Sequence, residues 1–422
     1  MIDWREDRTG KTGGSRAAAD LRRPYLLHVF SNFVPTGPEL RTVALMGAFG
    51  DSFRHGVVSM DGRTTAAERL PAGVDVRLLP SPPRAGSFAT ARRLGRLLID
   101  ERPDLVLTYN WGAFDMLLAE AIGIAGKGRP GRRVIHHEEG FNQDEADSFK
   151  LRRVIARRFV LPTAHCVVVP SERLERVARE VWKLPESRVR HIPNGIRLDA
   201  FPPADPDSRE PLRGRLGIPR EALVVGSAGS LRPVKNYLRL LEAAARTPGV
   251  HVLLVGDGEE RPALTARAAA PDLAGRVHLA GYQADPAPYY RAMDVFALTS
   301  NSEQMPVCLL EAMAAALPAV ATDVGDVRVM LPPEQSPLVV PLPTNPAASG
   351  SDGTTVTALA ARLAELAADP ARRRGLGQAN RRRVEERFSF EGMCRAYLEV
   401  YQSALLQGRS SRGIRAEHQR LC

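Results

Sequence analysis

The segment "VFALTSNSEQMPVCLLEAMAAALPAVATD" (residues 295–323) decides the fold of this chain. It holds two apolar runs of strand length, "VFALTS" and "PAVATD", with a polar loop and a helical stretch between them. The helical stretch begins at Pro306, and proline suits the first turn of a helix. Strand, helix and strand in this order predict a βαβ unit of a parallel sheet.

The same alternation runs through both halves of the chain. Apolar runs of strand length recur six times within residues 24–171 and six times within 222–342, with helical segments between most of them. Continuous apolar strands indicate parallel sheets that helices cover on both faces. Because 422 residues exceed one comfortable core, we predict an α/β fold of two doubly wound, Rossmann-like domains. The carboxyl ends of their sheets would face each other across a ligand-binding cleft.

The domain boundaries follow from changes in composition. The Pro- and Asp-rich stretch 202–211 is typical of a linker between the two domains. We predict five segments: a disordered tail (1–23), an amino-terminal Rossmann-like domain (24–200), a carboxy-terminal Rossmann-like domain (201–387), a terminal helix that packs back towards the amino-terminal domain (388–407) and a second disordered tail (408–422).

Composition excludes several classes of protein. No window of about 18 uncharged apolar residues occurs, and the amino terminus has no apolar core of signal-peptide length, so we expect a cytoplasmic protein. The 4 cysteines form no CxxC pair or metal spacing, which fits reduced thiols. The formal charge of +10 comes mostly from arginine, and with 6% aromatic residues and no binding motif it does not indicate a nucleic-acid partner. An anionic membrane or anionic substrates stay open as partners.

Two glutamates flank the helix start of the opening segment. Glu303 lies in the loop, and Glu311 lies inside the helix, whose exposed N–H groups and dipole form a ready anion site. Glu311 could accept hydrogen bonds from neutral hydroxyls, as on a ribose. Glu303 could contact further hydroxyls or a developing positive charge. The alternative is a pair of solvated glutamates on a surface helix.

Small residues precede two cations in "VVGSAGSLRPVKNYLRLLEAA" (224–244). Small residues allow close backbone approach, and Arg232 and Lys235 at a helix start suit a diphosphate. The stretch contains neither a GxxxxGKS/T loop nor GxGxxG, and cations at helix starts are also common on ordinary surfaces. In the amino-terminal half, Gly37 follows the first strand and would let the backbone approach a ligand, unless the turn is an ordinary strand–helix connection.

Two adjacent histidines, His136 and His137, end a predicted strand beside Glu138 and Glu139. An imidazole at a strand end could hydrogen-bond a substrate hydroxyl or phosphate. Adjacent residues of a strand point to opposite faces, so the pair is not a natural set of metal ligands. We therefore predict no metal site.

These stretches together resemble a known family, the retaining, nucleotide-sugar-dependent glycosyltransferases of the GT-B fold, glycosyltransferase family 4. Within it they are most similar to bacterial exopolysaccharide and cell-envelope sugar transferases. The resemblance spans residues from about 24 to 405. Its most specific marks are the two glutamates with the following "EAMAAALPAVATDVGD" (311–326), "HIPNGI" (191–196) and "VPSERL" (169–174).

The resemblance implies roles for individual residues. Glu311 would bind the ribose, Glu303 would contact the transferred sugar, and Arg232 with Lys235 would clamp the diphosphate. The other implied contacts are backbone groups of Gln304, Met305 and Pro306 to the sugar and phosphate, Gly37 beside the phosphates, His136 facing the donor sugar and acceptor, and Tyr282 near the nucleobase.

This chain departs from the family pattern at three places. Ser230 lies where an arginine is usual, so that Arg232, two residues later, would have to replace it. Ala316 lies where a glycine is frequent, and Gly325–Asp326 lies where a double glycine is usual.

The implied reaction moves a sugar from a nucleotide diphosphate sugar to a hydroxyl acceptor, a glycan or lipid-linked glycan, with retention of anomeric configuration. His136, Glu303 and Lys235 would be catalytic, and no metal or other cofactor would be needed. One alternative is a nucleotide-sugar epimerase of the same fold, against which the two spaced glutamates argue. Another is a non-catalytic sugar-binding relative.

Residues 147–165, "DSFKLRRVIARRFVLPTAH", predict a basic amphipathic helix in the amino-terminal domain. Such a helix could lie on an anionic bilayer and bring the enzyme to a lipid-linked acceptor. The alternative is a domain helix with its apolar face in the core. The residues concerned are the apolar Phe149, Leu151, Val154, Ile155, Phe159 and Val160, and the cations Lys150, Arg152, Arg153, Arg157 and Arg158.

Overall fold

The computed structural model describes residues 23–83, 86–123, 133–140, 150–203, 206–343 and 351–418. They form two compact units. The first consists of the chain before Pro193 together with the chain from Cys394 onward, and the second consists of Pro193–Met393. The first unit is therefore built from two separate chain segments, with the whole second unit inserted between them.

The first unit is built on a parallel sheet of seven strands in the order β3-β2-β1-β4-β5-β6-β7. The strands are β1 (Tyr25–Phe30), β2 (Arg54–Ser59), β3 (Val76–Leu79), β4 (Leu105–Tyr109), β5 (Arg133–His137), β6 (Cys166–Val169) and β7 (Val189–His191). The helices between them are α1 (Gly37–Phe49), α2 (Ser87–Glu101), α3 (Phe114–Ala121), α4 (Leu151–Val160) and α5 (Glu172–Glu180). Every residue of β1 and of β4 is buried, because helices cover both faces of the sheet.

The second unit repeats this plan with six parallel strands in the order β10-β9-β8-β11-β12-β13. The strands are β8 (Leu223–Ala228), β9 (Val250–Val255), β10 (Val277–Gly281), β11 (Val295–Leu298), β12 (Ala319–Thr322) and β13 (Val339–Val340). The helices are α6 (Pro206–Arg215), α7 (Tyr237–Ala245), α8 (Arg261–Ala268), α9 (Ala287–Ala292), α10 (Val307–Ala314), α11 (Val327–Met330), α12 (Ser351–Ala368) and α13 (Pro370–Arg387). A last helix, α14 (Phe390–His418), ends the described chain.

Each sheet has one switch point, where the chain order reverses between two central strands. In the first sheet β1 lies next to β4, and in the second β8 lies next to β11. The loops that follow the two strands of such a pair diverge, which leaves a crevice at the carboxyl ends. The two switch points are therefore where the fold itself places a ligand site.

The twelve predicted strands are all present, so the α/β class with two Rossmann-like domains is confirmed. Strand β7 was missed, because three residues are too few to show a periodicity. The units divide at Ile192–Pro193 rather than at 200–201.

Two segments differ from their predicted structure. Most of the predicted linker is helix α6, which begins at Pro206, a position where a helix tolerates proline. Helix α14 continues past residue 407 to His418, into the segment expected to be a disordered tail. Each further helical residue adds one backbone hydrogen bond once a helix has formed.

Among the described residues, no helix combines the length and the apolar character that crossing a membrane requires.

Candidate active site

The second sheet brings two of the predicted residues together at its switch point. Lys235 follows β8 and Glu303 follows β11, and Nζ of Lys235 lies 2.6 Å from Oε1 of Glu303. The two side chains are only 16% and 12% exposed. Burial by itself would lower the pKa of Lys235, but the charge of Glu303 outweighs it and raises that pKa above its ordinary value. The ammonium group is therefore charged at neutral pH.

The turn that carries Lys235 is fixed by the end of the neighbouring strand. Residues Pro233–Lys235 form one 3-10 turn, and Asn236 follows in the left-handed region (φ 46°) and caps the start of α7 with its side chain. The hydroxyl of Thr299 donates to the carbonyl of Asn236 at 3.0 Å, and the N–H of Asn301 donates to a carbonyl of the same turn at 2.8 Å. The position of the ammonium group is thus set by backbone contacts between the loops after β8 and β11.

Arg232 is not joined to the ion pair by any contact of the described residues. Its Nε donates to the hydroxyl of Ser230 at 2.9 Å, and its side chain is exposed. The backbone of this loop packs against the turn after β9, where a Cβ at Gly256 would overlap the carbonyl oxygen of Gly229. The chain therefore brings Lys235, but not Arg232, to the centre of the switch point.

The backbone of the next loop holds the loop of Glu303. Gly325 has a φ of 55°, and a Cβ there would come within 2.5 Å of the carbonyl oxygen of Glu303. The N–H of Asp326 donates to the carbonyl of Gln304 at 2.8 Å. Asp326 itself has an ordinary φ of −98°. Only the first position of the family's double glycine is thus sterically required here.

No side chain of the described residues caps the start of α10. Pro306 precedes the first helical residue and supplies no side-chain hydrogen bond to the first turn. Met305 is buried, and its carbonyl accepts a hydrogen bond from Nδ2 of Asn194 at 3.0 Å. Asn194 belongs to the "HIPNGI" stretch. The N–H groups of the first turn lack a capping side chain, and such groups bind phosphates in many proteins.

Glu311 lies in the same neighbourhood as the ion pair. Its Oε2 accepts a hydrogen bond from the hydroxyl of Tyr290 at 2.6 Å, and burial raises the pKa of Glu311 to about 7. Burial also raises the pKa of Cys308 to about 12, and the charges of Lys235, Glu303 and Glu311 all act on this thiol. Cys308 therefore lies close enough to Lys235, Glu303 and Glu311 for each of them to affect its pKa.

Tyr282 lies at the same edge of the second sheet. It follows Gly281 at the end of β10, and the N–H of Gly256 donates to the carbonyl of Gly281 at 2.8 Å. The side chain of Tyr282 is 61% exposed. This position, next to the glycine turn that supports the Lys235 loop, is compatible with the predicted contact to a nucleobase.

Gly37 opens α1 in the first unit, after the turn that follows β1. It is exposed, and an added Cβ would meet no atom within 4 Å. The packing of the described residues gives no steric reason for a glycine there. The predicted approach of a ligand stays a prediction.

His136 lies away from the surface. Its side chain has no exposed area, its Nδ1 lies 2.9 Å from the hydroxyl of Thr108, and its Nε2 lies 3.3 Å from Oε2 of Glu138. Burial alone would raise the pKa of Glu138, but Arg157 and His136 lower it below its ordinary value. Both ring nitrogens of His136 serve this buried cluster, so its position does not favour contact with a sugar.

The second histidine of the pair is buried as well. The ring of His137 stacks on Tyr109 at 4.5 Å and on Tyr397 of α14 at 5.9 Å. Arg41 forms a buried ion pair with Glu139, and its guanidinium lies 5.5 Å from the ring centre of Tyr397. Side chains thus close this part of the first unit.

No group of three or more His, Cys, Asp or Glu side chains within the described ranges is arranged to hold a metal ion.

Sequence reasoning missed several residues of this site. Tyr290 and Cys308 contact or adjoin Glu311, while Thr299, Ser300 and Asn236 position the ion pair. The partners of Tyr290, Thr299 and Asn236 are distant in the chain or are backbone atoms, and neither relation leaves a local motif. Ser300 lies three residues before Glu303, and Cys308 lies one helical turn before Glu311, so the local spacing could have indicated these two residues.

Two family models match this chain, one in each half. Residues 36–200 match the family model described as Glycosyltransferase Family 4, and residues 222–369 match the model described as Glycosyl transferases group 1. Each model matches less than half of the chain, and together they match both of its halves.

Curated relatives of this chain are described as glycosyltransferases of different kinds. The lipopolysaccharide core biosynthesis glycosyltransferase LpsE of Rhizobium meliloti is 32% identical over 45% of this chain and 53% of its own length. A D-inositol 3-phosphate glycosyltransferase of Kineococcus radiotolerans is 30% identical over 62% of each chain. The alignments thus span between half and two thirds of these relatives.

Solved glycosyltransferase structures share the fold at low sequence identity. HepE of Anabaena, solved in complex with UDP, has a TM-score of 0.72 at 20% identity and covers 90% of this chain and 100% of its own. Sucrose-phosphate synthase of Thermosynechococcus elongatus has a TM-score of 0.72 at 22% identity, with 90% and 98% coverage. The GT-B fold predicted from the sequence is confirmed.

Proposed function

We propose that this protein transfers a sugar from a nucleotide diphosphate sugar to a hydroxyl acceptor, with retention at the anomeric carbon. The observation that carries the proposal is the pairing of Lys235 with Glu303 at the switch point between β8 and β11. This ion pair lies in one neighbourhood with Glu311 and with the uncapped start of α10.

The cations of the site suit a departing diphosphate. Lys235 is charged at neutral pH, and the N–H groups at the start of α10 add the positive end of a helix dipole. Charge that develops on a leaving group is stabilised most by donors already held in place. Arg232 would leave Ser230 and add a second cation when the donor is bound. In this scheme these groups take the part that a divalent ion plays elsewhere.

The two glutamates would bind the sugar parts of the donor. Glu303 would accept hydrogen bonds from the transferred sugar and face the positive charge of an oxocarbenium-like transition state. Glu311 would accept hydrogen bonds from the ribose hydroxyls, and these would favour its carboxylate form. The backbone of Gln304, Met305 and Pro306 would line the sugar and phosphate.

We assign His136 a positioning role rather than direct contact with the donor. His136 contacts Glu138, and Glu138 in turn forms a buried ion pair with Arg157 at 3.3 Å. The contact from His136 helps to hold Glu138 in place for this pair. Arg157 belongs to helix α4, so this pair joins α4 to Glu138 at the end of β5. Lys235 and Glu303 remain the catalytic candidates.

The fold relatives suggest the class of donor. HepE is described in complex with UDP-glucose, and LpsE is described as a lipopolysaccharide core enzyme. We propose a UDP-sugar as donor and a cell-envelope glycan or lipid-linked glycan as acceptor.

Thermal unfolding in the presence of UDP-, GDP- and ADP-sugars tests the donor. A ligand that binds the folded protein raises the midpoint by mass action. We expect one nucleotide class to raise it in the wild type and to act less in Glu311→Ala. If no nucleotide sugar changes the midpoint, and none is consumed with glycan acceptors, the proposal is wrong.

Incubation with the donor alone separates a transferase from an epimerase. An epimerase converts its nucleotide sugar without an acceptor, whereas a transferase releases the nucleotide at a useful rate only when an acceptor is present. The anomeric configuration of the product, measured by NMR coupling constants, then tests retention. An inverted product would contradict that part of the proposal.

We propose further that α4 lies on an anionic membrane, and its exposed residues support this. Leu151, Ile155 and Phe159 are 73%, 45% and 77% exposed. Their spacing of four residues puts them on one stripe of the helix. The flanking Arg152 and Arg158 are exposed as well.

The residues exposed on α4 differ from those that the sequence predicted for this surface. Of the residues named from the sequence, Val154 and Val160 lie in the core, and Phe149 lies outside the described residues. Arg153 and Arg157 are buried, each near the ring of Trp111, at 5.2 and 5.1 Å. The outer face therefore combines apolar and cationic side chains, as on helices that lie in a bilayer interface.

Vesicle flotation tests this face. We expect binding to anionic vesicles that salt weakens, and loss of binding in Leu151→Ser/Phe159→Ser. A matched control, Leu406→Ser, removes a residue that is 64% exposed on α14 and should leave binding unchanged. Equal binding by all three proteins would show that α4 is not the contact.

A further inference from the structure

The second unit contains a basic cavity at the amino edge of its sheet, opposite the switch-point residues. Its volume is about 600 Å³, and it is lined by residues that precede β11 and β12 and by one face of α13. The charged lining residues are Arg209, Arg373, Arg374, Arg381 and Arg382, with Asp294 and Glu385.

The charges of this basic cavity do not balance. Five arginines face two carboxylates, which leaves an excess of three positive charges. Asp294 is already shared, because it binds Arg209 at 2.7 Å and Arg213 at 2.8 Å. Glu385 binds Arg381 at 3.3 Å. The lining carboxylates therefore do not neutralise the remaining arginines.

Two of these arginines have no role in holding the fold together. Arg374 and Arg382 lie eight residues apart on α13, both exposed, and neither makes an ion pair or hydrogen bond with the described residues. The Nε atom of Arg209 is buried without a hydrogen-bond partner. Burial lowers the pKa of Arg373, and the charges of Arg374 and Arg209 add to this effect. The cluster thus contains unused donors and mutual repulsion, which a bound anion would relieve.

We propose that this basic cavity binds a compact anion that carries two linked phosphate groups. The excess of three positive charges is comparable to the charge of a diphosphate. Planar guanidinium groups bind phosphate oxygens in pairs, more specifically than lysines do. A soluble nucleotide and the head group of a lipid diphosphate share this chemistry, and the experiment below distinguishes them.

The basic cavity is separate from the switch-point site. Lys235 and Glu303 follow β8 and β11, whereas the cavity adjoins Asp294 and Pro318, which precede β11 and β12. The four residues of β11 separate the two edges by roughly 13 Å. Binding in the cavity does not depend on the proposed transfer reaction.

Calorimetric titration with inorganic pyrophosphate tests the proposal. Wild-type protein would be compared with Arg374→Gln/Arg382→Gln, with Lys235→Ala and with a control, Arg372→Gln/Arg387→Gln. The control removes two arginines from the same helix that do not line the cavity. Thermal midpoints of all four proteins would show that each is folded.

We expect the cavity variant to bind pyrophosphate at least about tenfold more weakly than the control. Lys235→Ala should retain this component of binding. Equal affinity in the cavity variant and the control, or loss of all binding in Lys235→Ala, would overturn the proposal. The second arm uses farnesyl diphosphate in phosphatidylcholine vesicles. Arginine-dependent binding to these vesicles, with weak binding of soluble pyrophosphate, would identify a lipid diphosphate as the source.

Discussion

The two units have the same order of central strands but use their polar side chains differently. In the second unit, Lys235 and Glu303 lie at the switch point, partly exposed and next to an uncapped helix start. In the first unit, the polar groups near the switch-point strands are buried among rings. His28 of β1 lies 3.0 Å from the hydroxyl of Tyr109 of β4, and Tyr109 stacks on His137.

The difference does not come from topology, because the two sheets share the order of their central strands. Both sheets have a switch point, yet only in the second are opposite charges brought together with access to solvent. In the first, the charges of Arg41 and Glu139 are almost fully withdrawn from water. The polar groups of the first unit therefore bond mainly to one another, whereas Lys235 and Glu303 of the second unit keep more of their surface exposed.

The largest expected difference between the units is in how their stability changes with pH. Burial lowers the pKa of His28 and His137 well below 6.5 and that of His55 to about 4, so these rings stay neutral when folded. As the pH falls from about 6.5 towards 4, the unfolded chain binds protons that the folded unit does not. Each histidine then costs up to about 1.4 kcal/mol of stability per pH unit.

Glu311 should act with the opposite sign in the second unit. Its pKa is raised from 4.5 to about 7, so its contribution to stability is present below 4.5 and is lost as the pH rises through 7. Hydrogen exchange at pH 5 and pH 7.5 measures both units at once. From pH 7.5 to pH 5, protection corrected for the intrinsic pH dependence of exchange should fall in the first unit and rise in the second, and the opposite changes would contradict the comparison.

Arg41→Met should destabilise the first unit by about 3–5 kcal/mol, because it leaves Glu139 buried without its partner. The double variant Arg41→Met/Glu139→Met should recover most of this loss. Chemical denaturation measures both. The exposed pair of Arg23 with Asp75 is the control, and Arg23→Met should cost about 1 kcal/mol or less. Equal losses of stability at the two pairs would contradict the prediction that burial makes the loss of Arg41 more costly.

Lys235→Ala should lower turnover by about 100-fold or more, because it removes a fixed cation from the leaving group. The thermal midpoint should fall as well, because Glu303 loses its ion-pair partner, but by less than in Arg41→Met, since Lys235 and Glu303 are more exposed than Arg41 and Glu139. Arg232→Ala should have a smaller effect, since Arg232 is exposed and bound only to Ser230 among the described residues. Steady-state kinetics with the donor found by thermal unfolding would decide. Full activity in Lys235→Ala would remove its assigned role.

Glu311→Gln should weaken donor binding by about 1–3 kcal/mol, through loss of a charged hydrogen bond. In the wild type, donor affinity should rise as the pH increases through about 7, because the carboxylate forms there. The variant should lack this pH dependence. Tyr290→Phe provides the companion measurement, since it removes the partner of Glu311 and leaves the carboxyl group in place. A wild-type affinity independent of pH would argue against contact of Glu311 with the ribose.

The sequence predicted the strands because each is a short apolar run between turns, which is visible locally. It could not predict that Lys235 and Glu303 touch, because 68 residues separate them. The resemblance to a family supplied both residues, and the contact itself required the folded sheet.

The sequence also could not predict which side of β5 His136 occupies or which face of α4 is buried, for a different reason. Strand β5 is covered on both faces, so no polar alternation reveals which side each histidine takes. In α4, Arg157 is buried because Glu138 and two tryptophan rings receive it. Hydrophobicity alone would place such an arginine outside and Phe159 inside, the reverse of what is observed.

Ala316 shows where a departure from the family pattern is explained. It has a φ of 58°, in the left-handed region where glycine has no steric cost. Backbone geometry alone would therefore favour a glycine at this turn.

The composition of the first unit from two chain segments bears on synthesis at the ribosome. Tyr397 and Tyr401 of α14 complete its core, and Tyr401 packs against Phe49 at 6.0 Å. These tyrosines leave the ribosome after the whole of Pro193–Met393. The domain whose synthesis begins first is therefore the one whose folding is completed last, and a nascent chain stalled before α14 would carry a finished second unit beside an unfinished first one.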